Sequence, residues 1–310
     1  MNRIINYTIS PSDEDKTIRT FLREHYYPVK IITYFKHTDN SVCLNGDPVF
    51  LNTLLKTADI LTINYIEEDD SENIVPVPLP FKIVYEDDDI LVVDKPADMP
   101  VHPAINNFEN TLANGIAFYF KEKNEHFVFR CINRLDRNTS GLLIVAKHRL
   151  ASAILSDFMK NREIHREYLA LASGIFNEKS GVIDLPIGRV NSSIIERFVD
   201  FENGDRAITH YKVIKEYENP DNTELIDFEG SSNPYGIPCS LLALRLETGR
   251  THQIRVHLSH IGHPLLGDSL YNKEPGRLSR QALHSHIIDF THPITLEKMH
   301  FESDIDFSKI

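Results

Sequence analysis

Hydrophobic residues recur every three to four positions at several points along the chain. Ile18, Leu22 and Tyr26 predict a helix, and a second is expected near 28–37. Leu112, Ile116 and Phe120 line one side of 111–121, behind Asn110 as a candidate cap, and Leu150, Ile154 and Phe158 do the same over 149–160. A further stripe of Ile254, Leu258 and Ile261 predicts a helix over 252–261, closed by Gly262 and followed by Pro264.

Other stretches read as strands. Ile90–Val93 and Leu142–Val145 are unbroken apolar runs, as expected of strands covered on both faces, whereas LLALRLE alternates Leu242, Leu244 and Leu246 with Ala243, Arg245 and Glu247. In VCLNGDPVF, Asn45-Gly46 is expected at the turn of a strand–turn–strand unit. The fold class predicted is a mixed α+β core dominated by strands. IVPVPLP, with three prolines in five positions, cannot continue a helix or a central strand. It lies between the acidic runs EEDDSE and EDDD, so the expected organisation is a small domain over 1–70, a linker over 71–80 and a larger domain over 81–310.

Composition narrows the class. With 310 residues, 41% hydrophobic and 25% charged, the chain has the make-up of a globular protein with a sizeable core. No apolar run is long enough to span a bilayer, and the polar start lacks a signal-peptide core, so a soluble, cytoplasmic protein without a membrane partner is expected. Cys43, Cys131 and Cys239 are widely spaced and odd in number, and are expected to be buried, reduced thiols. A formal charge of -12 argues against coating nucleic acid by bulk attraction. Locally the balance reverses, with ten Lys/Arg against six Asp/Glu over 121–170, and six against three, plus six His, over 245–286. These stretches suit either a polyanionic substrate or a solvated mixed-charge face.

Two segments carry candidate chemistry. In CINRLDRNTSGLLIVAK a polar loop runs directly into an apolar strand, and Asp136 stands between Arg134 and Arg137, whose charge would keep a partly desolvated carboxylate ionised. The plainer alternative is a surface Asp in ordinary salt bridges. In LETGRTHQIRVHLSHIGHPLLGD, Arg255 adjoins the apolar stripe and is either a buried fork aimed at a carboxylate or a snorkelling surface residue. His257, His260, His263 and the pair His284 and His286 raise the alternative of a metal-dependent hydrolase, although Gly262 and Pro264 should end the helix before His263.

Five blocks in order, IVYEDDDILVVDKPADMPVHP, NRLDRNTSGLLIVAK, REYLALASG, LETGRTHQIRVHLSHIGHPLLGD and RQALHSHIIDFTHP, closely resemble the RluA-type family of RNA pseudouridine synthases over essentially all of 81–310. Residues 1–70 resemble, more weakly, the small ribosomal-protein-type RNA-binding module that often precedes that catalytic domain. The resemblance implies a largely antiparallel sheet with flanking helices, and a cofactor-free, metal-free isomerisation of a uridine in structured RNA, ribosomal or transfer. By this analogy Asp136 is the catalytic carboxylate, acting on the ribose as a nucleophile or through a glycal. Tyr168 is expected to stack on the uracil and help remove its C5 proton, a residue that would otherwise read as a core aromatic. Arg255 is expected to pair with Asp136, and Arg134 to enter the RNA stack vacated by the everted uridine. Asn133, Thr139, Lys147 and Arg250 are expected to face the RNA, and the family expectation is a monomer. Asn133 stands where the family usually has His, and Asp98 where it usually has Gly, which opens the alternative of a non-catalytic RNA-binding protein of the same fold.

Overall fold

In the computed structural model, which describes residues 2–67, 74–104, 108–190, 193, 195–218 and 233–310, the chain opens on a small four-stranded sheet with two helices. Residues 68–73, most of the first acidic run and the start of the expected linker, lie outside the described residues. Strand β1 (Asn2–Thr8) is followed by α1 (Ile18–Glu24), α2 (Val29–His37), β2 (Val42–Leu44), β3 (Asp47–Pro48) and β4 (Ile60–Ile66), in sheet order β1-β4-β2-β3. Thr17 caps α1 by accepting from the Thr20 N–H, and Ile18, Phe21 and Leu22 turn inward. Tyr26 lies beyond this helix, where a φ of 64° has already turned the chain. Between β2 and β3, Asn45 and Gly46 take φ values of 53° and 93°, the left-handed pair that a tight hairpin needs.

The rest of the chain runs β5 (Lys82–Glu86), β6 (Ile90–Lys95), α3 (Leu112–Glu122), β7 (Arg130–Cys131), β8 (Ser140–Ala146), α4 (Arg149–Lys160), β9 (His165–Ser173) and β10 (Ser180–Asp184). A hairpin of β11 (Ile187–Arg189) and β12 (Arg197–Val199) follows, then β13 (Ile208–Tyr217), β14 (Cys239–Leu246), α5 (Gln253–His260), β15 (Leu283–Thr291) and β16 (Lys298–Glu302). The large sheet has the order β10-β13-β14-β9-β15-β8-β6-β5, with β16 beside β15 and β7 beside β8. Its pairings are antiparallel apart from β8 with β15, so the fold is the expected α+β type.

Strands β6 and β8 are buried on both faces, as their unbroken apolar runs require. Alternation sends Ile90, Val92, Leu142 and Ile144 to one side, against α4 and the N-terminal module. Leu91, Val93, Leu143 and Val145 point to the other, against α3 and α5. Thr111, not Asn110, caps α3: its hydroxyl accepts from the Asn114 N–H while the Asn114 side chain accepts from the Thr111 N–H. Residues 74–80 form no regular element, in keeping with their prolines, yet they are tied to α3, since Asn114 donates to the Val75 carbonyl at 2.7 Å.

The N-terminal module is docked on the large sheet. The Arg3 fork holds Asp89 at 2.7 and 2.9 Å, and His148 donates to the same carboxylate at 2.8 Å. Glu67 accepts from the Arg130 guanidinium and from the Arg149 N–H at the start of α4. Tyr26 meets Phe158 edge to face. All three cysteines are free thiols; Cys43 and Cys239 are buried, while Cys131, which lines a cleft, is partly exposed, a departure from expectation.

Candidate active site

The loop from 132 to 139 joins the short β7 to the buried β8, and backbone hydrogen bonds fix its shape. The Thr139 N–H donates to the Asp136 carbonyl at 3.1 Å, and the Met99 N–H donates to the Arg137 carbonyl at 3.1 Å. Beneath the loop, the fully buried Lys95 ammonium donates to the carbonyls of Pro96 and Met99 at 2.8 Å and of Arg137 at 3.1 Å. Burial drives its pKa down to about 7, against the opposing pull of Asp136. Asn133 is also buried. Its Oδ1 accepts from the Ile144 N–H at 2.9 Å, and its Nδ2 donates to the Leu142 carbonyl. Although Asn133 belongs to the cleft wall, its polar atoms serve β8 rather than facing RNA, which corrects the expectation for this residue.

Asp136 sits in a cleft of about 770 Å³ that is lined by the 131–136 loop, Tyr168, and the segment from Leu246 to Arg255. The Arg255 guanidinium joins two carboxylates. Its Nε and Nη2 grip the fully buried Asp268 at 2.7 and 2.8 Å, and its Nη1 donates to Asp136 Oδ2 at 3.2 Å. Burial works against the Arg255 charge, but hydrogen bonds and attraction from Asp268, with Asp136 adding to them, lift its pKa above the ordinary value. Arg255 is therefore a buried fork rather than a snorkelling residue. Asp136 Oδ1 has no hydrogen-bond partner among the described residues.

The guanidinium that touches Asp136 is not one of its sequence neighbours. Arg137 pairs with Asp98 at 2.7 Å on the open surface, and Arg134 is exposed at the lip of the cleft. Asp98 has a φ of 57°, so it occupies the left-handed conformation that favours glycine, and it holds that turn as the other member of the pair with Arg137. Tyr168, on β9, is buried in the cleft wall; burial raises the pKa of its phenol, and the nearby Arg166 charge opposes that.

The turn before α5 is built by Gln253. Its Oε1 accepts from the Thr248 hydroxyl at 2.8 Å and from the Arg250 N–H at 3.0 Å, while its Nε2 donates to the Ile208 carbonyl at 2.9 Å. This turn leaves His252 at a φ of 58° with its ring in the cleft. His252 Nδ1 is 2.8 Å from the Tyr271 hydroxyl, and its Nε2 is 3.9 Å from Asp136 Oδ2. Tyr271 also underlies Arg255, its ring centre 5.0 Å from the guanidinium carbon. Asp268, His252 and Tyr271 were missed as site residues from sequence; the first two stand inside the GRTHQIRVHLSHIGHPLLGD block, so position in a motif was the available signal.

Comparison with known proteins identifies the family. A family profile described as RNA pseudouridylate synthase matches residues 89–260, which include Asp136, Tyr168 and Arg255. The chain is 37% identical over 296 residues to an RNA pseudouridine synthase of Bacillus subtilis named YjbO and described as uncharacterized, covering 95% of this chain and 98% of that one. The chain belongs to the RluA-type family of RNA pseudouridine synthases.

As an RNA pseudouridine synthase it is an isomerase that acts on RNA. Ribosomal large subunit pseudouridine synthase D of Pasteurella multocida is 37% identical over 280 residues, covering 86% of this chain and 80% of that one. Among solved structures, human RNA pseudouridylate synthase domain containing 1 aligns with a TM-score of 0.58 and 28% identity over 73% of this chain and 84% of that one. The remaining expected residues are placed unevenly. Arg250 lines the cleft rim, pairing with Asp205 at 3.2 Å, and Thr139 lies buried in its wall. Lys147 corrects the expectation that it faces RNA, because it is buried against Glu86 at 2.9 Å and the Asp87 carbonyl at 2.6 Å, outside the cleft. The histidines of the hydrolase alternative do not converge. His257 is hydrogen-bonded to Thr209 and the Leu185 carbonyl, His263 to the Ser173 carbonyl, and His284 to Ser140 and Ser303.

Proposed function

We propose that Asp136 is the catalytic carboxylate that converts an everted uridine in ribosomal RNA to pseudouridine, within a catalytic domain spanning 81–310. One observation carries this reading: a carboxylate in a broad cleft has one oxygen held by Arg255 at 3.2 Å and the other free, with Tyr168 in the same wall. The free oxygen acts on the ribose, either as a nucleophile at C1′ or by opening a glycal route. The C1′–N1 bond breaks, the uracil turns, C5 bonds to C1′, the C5 proton leaves and N1 gains one, so no atom is added or lost. Tyr168 supports the base from the wall and takes part in C5 proton removal, and Arg134 at the lip fills the stack that the uridine leaves. The names of relatives such as the Pasteurella multocida large subunit enzyme support a ribosomal target. Residues 1–70 form an RNA-binding-like module in this reading, and the protein works as a cytoplasmic monomer without metal or cofactor. Among the described residues no helix is long and apolar enough to cross a membrane.

The test is Asp136→Asn with RNA from a strain lacking the gene. The variant is expected to bind RNA and melt like the wild type, but to form pseudouridine at least about 1,000-fold more slowly, equivalent to about 4 kcal/mol of transition-state stabilisation. Turnover at the wild-type rate would exclude Asp136 from the chemistry. Mapping pseudouridine across all RNA with and without the gene identifies the target.

A further inference from the structure

We infer that Arg166 is the cleft's receptor for an anionic oxygen of the everted uridylate. This rests on the reading above and adds a substrate contact to it. Arg166 lies on β9 two residues before Tyr168, so alternation puts both side chains on one face of the strand, and both line the cleft. The side chain is deeply buried, with the residue only 7% exposed. Among the described residues no carboxylate lies within ion-pair distance of it, and its Nε is a buried polar atom without a hydrogen-bond partner.

That combination sets Arg166 apart from other sheltered cations in the fold. Arg255 has Asp268 and Asp136, Arg3 has Asp89 and Lys147 has Glu86, while Lys95, which also lacks a carboxylate, donates to three backbone carbonyls. The polar neighbour of Arg166 is the Tyr168 phenol and no carboxylate among the described residues balances its charge, so a guanidinium at this position in a substrate cleft suits an anion supplied by the ligand. Gly249 lies beside the guanidinium, its Cβ position 3.4 Å from Arg166 Nη1. Arg166 also lines a smaller cavity of about 220 Å³ with Arg162, Arg245 and Glu247, whose carboxylate is paired with Arg162 and His210.

The everted nucleotide offers two anionic oxygens. One is its phosphate. The other appears during reaction, when the C1′–N1 bond breaks, the electron pair leaves with N1, and the charge spreads onto the uracil carbonyl oxygens until N1 or C5 is again bonded. A guanidinium fork suits either.

The test uses full-length Arg166→Met and Arg166→Lys with total RNA from a strain lacking the gene, measuring kcat and KM for pseudouridine formation and the melting temperature without RNA. Arg166→Met is expected to melt at or above the wild-type temperature, because it removes an uncompensated buried charge, while kcat/KM falls at least tenfold. A rise in KM at constant kcat, largely restored by Arg166→Lys, assigns the phosphate, since an ammonium still binds it as a point charge. A fall in kcat at constant KM, not restored by lysine, assigns the departing uracil. A kcat/KM within twofold of wild type, or a melting temperature lowered by 5 °C or more, overturns the inference and leaves the role of Asp136 standing. If the wild type itself forms no pseudouridine in this RNA, the underlying reading fails and takes the inference with it.

Discussion

Arg255 divides its guanidinium between carboxylates in different surroundings. The fully buried Asp268 takes the Nε and Nη2 pair, so the fork is held before any RNA arrives, and Nη1 is left to orient the partly exposed Asp136. In the proposed reaction, preorganisation of this kind would keep the Asp136 carboxylate in place without reorganisation. Arg255→Ala strands the buried Asp268 as well as releasing Asp136. It is expected to lose nearly all activity and to destabilise the protein by about 3–5 kcal/mol, read from urea denaturation. Full activity would remove Arg255 from the site. The resemblance placed Arg255 beside Asp136, but nothing in residue spacing singled out Asp268, because the two positions meet through the turn after α5 and not along one helix face.

Strand β8 ties the Asp136 loop to the centre of the sheet. It emerges from the Asp136 loop, pairs antiparallel with β6 and β7, and makes the one parallel pairing among the described residues of the large sheet, with β15. Gly141 is required at that crossing: its φ is 108°, and a Cβ there would fall 2.2 Å from the Ser285 carbonyl oxygen. Gly141→Ala is expected to cost roughly 3 kcal/mol, from overpacking and backbone strain together. The loss should appear as a lower urea midpoint together with reduced activity, since β15 is pushed away from the strand that bears the loop. A wild-type midpoint would show that the crossing is slack. The strand itself was legible as an apolar run, as were α4 and α5 from their stripes, because burial repeats with the period of the element. Cap positions shifted by a residue, from Asn110 to Thr111, because a cap depends on backbone geometry that neighbouring polar residues satisfy almost equally well.

The N-terminal module and the large sheet share one apolar core, and their polar contacts gather at Asp89. His148 Nδ1 accepts from the Ala151 N–H at the start of α4, so its Nε2 carries the proton donated to Asp89, and Arg3 closes the other side. Burial alone would raise the Asp89 pKa, but hydrogen bonds from His148 and Arg3 hold it below the ordinary value. Because the folded pKa is depressed, the unfolded chain binds more protons in the window just below about pH 4. The stabilisation is therefore complete above that range and is lost as pH falls through the folded pKa. Asp89→Ala is expected to cost about 3 kcal/mol and to make the module more sensitive to limited proteolysis at neutral pH. An unchanged cleavage pattern would show that apolar contacts alone hold the module.

Helix and strand periodicity, the Asn45-Gly46 turn and the five family blocks are local properties, carried by residues close enough in the chain to share an element, and so the fold class and the family were readable from the amino acids. The partners of charged groups were not. Arg134 and Arg137 flank Asp136 in sequence, yet Arg137 pairs with Asp98 and Arg134 stands exposed at the cleft lip, while the guanidinium that orients Asp136 arrives from 119 residues later. Lys147 follows an apolar strand toward what looked like an RNA-facing surface and is instead enclosed by Glu86, and Arg166 is left without a carboxylate in a wall shared with Tyr168. Such pairings depend on which distant segments packing brings opposite one another. Coulomb and hydrogen-bond energies act through space over a few ångströms, so only the folded chain decides them.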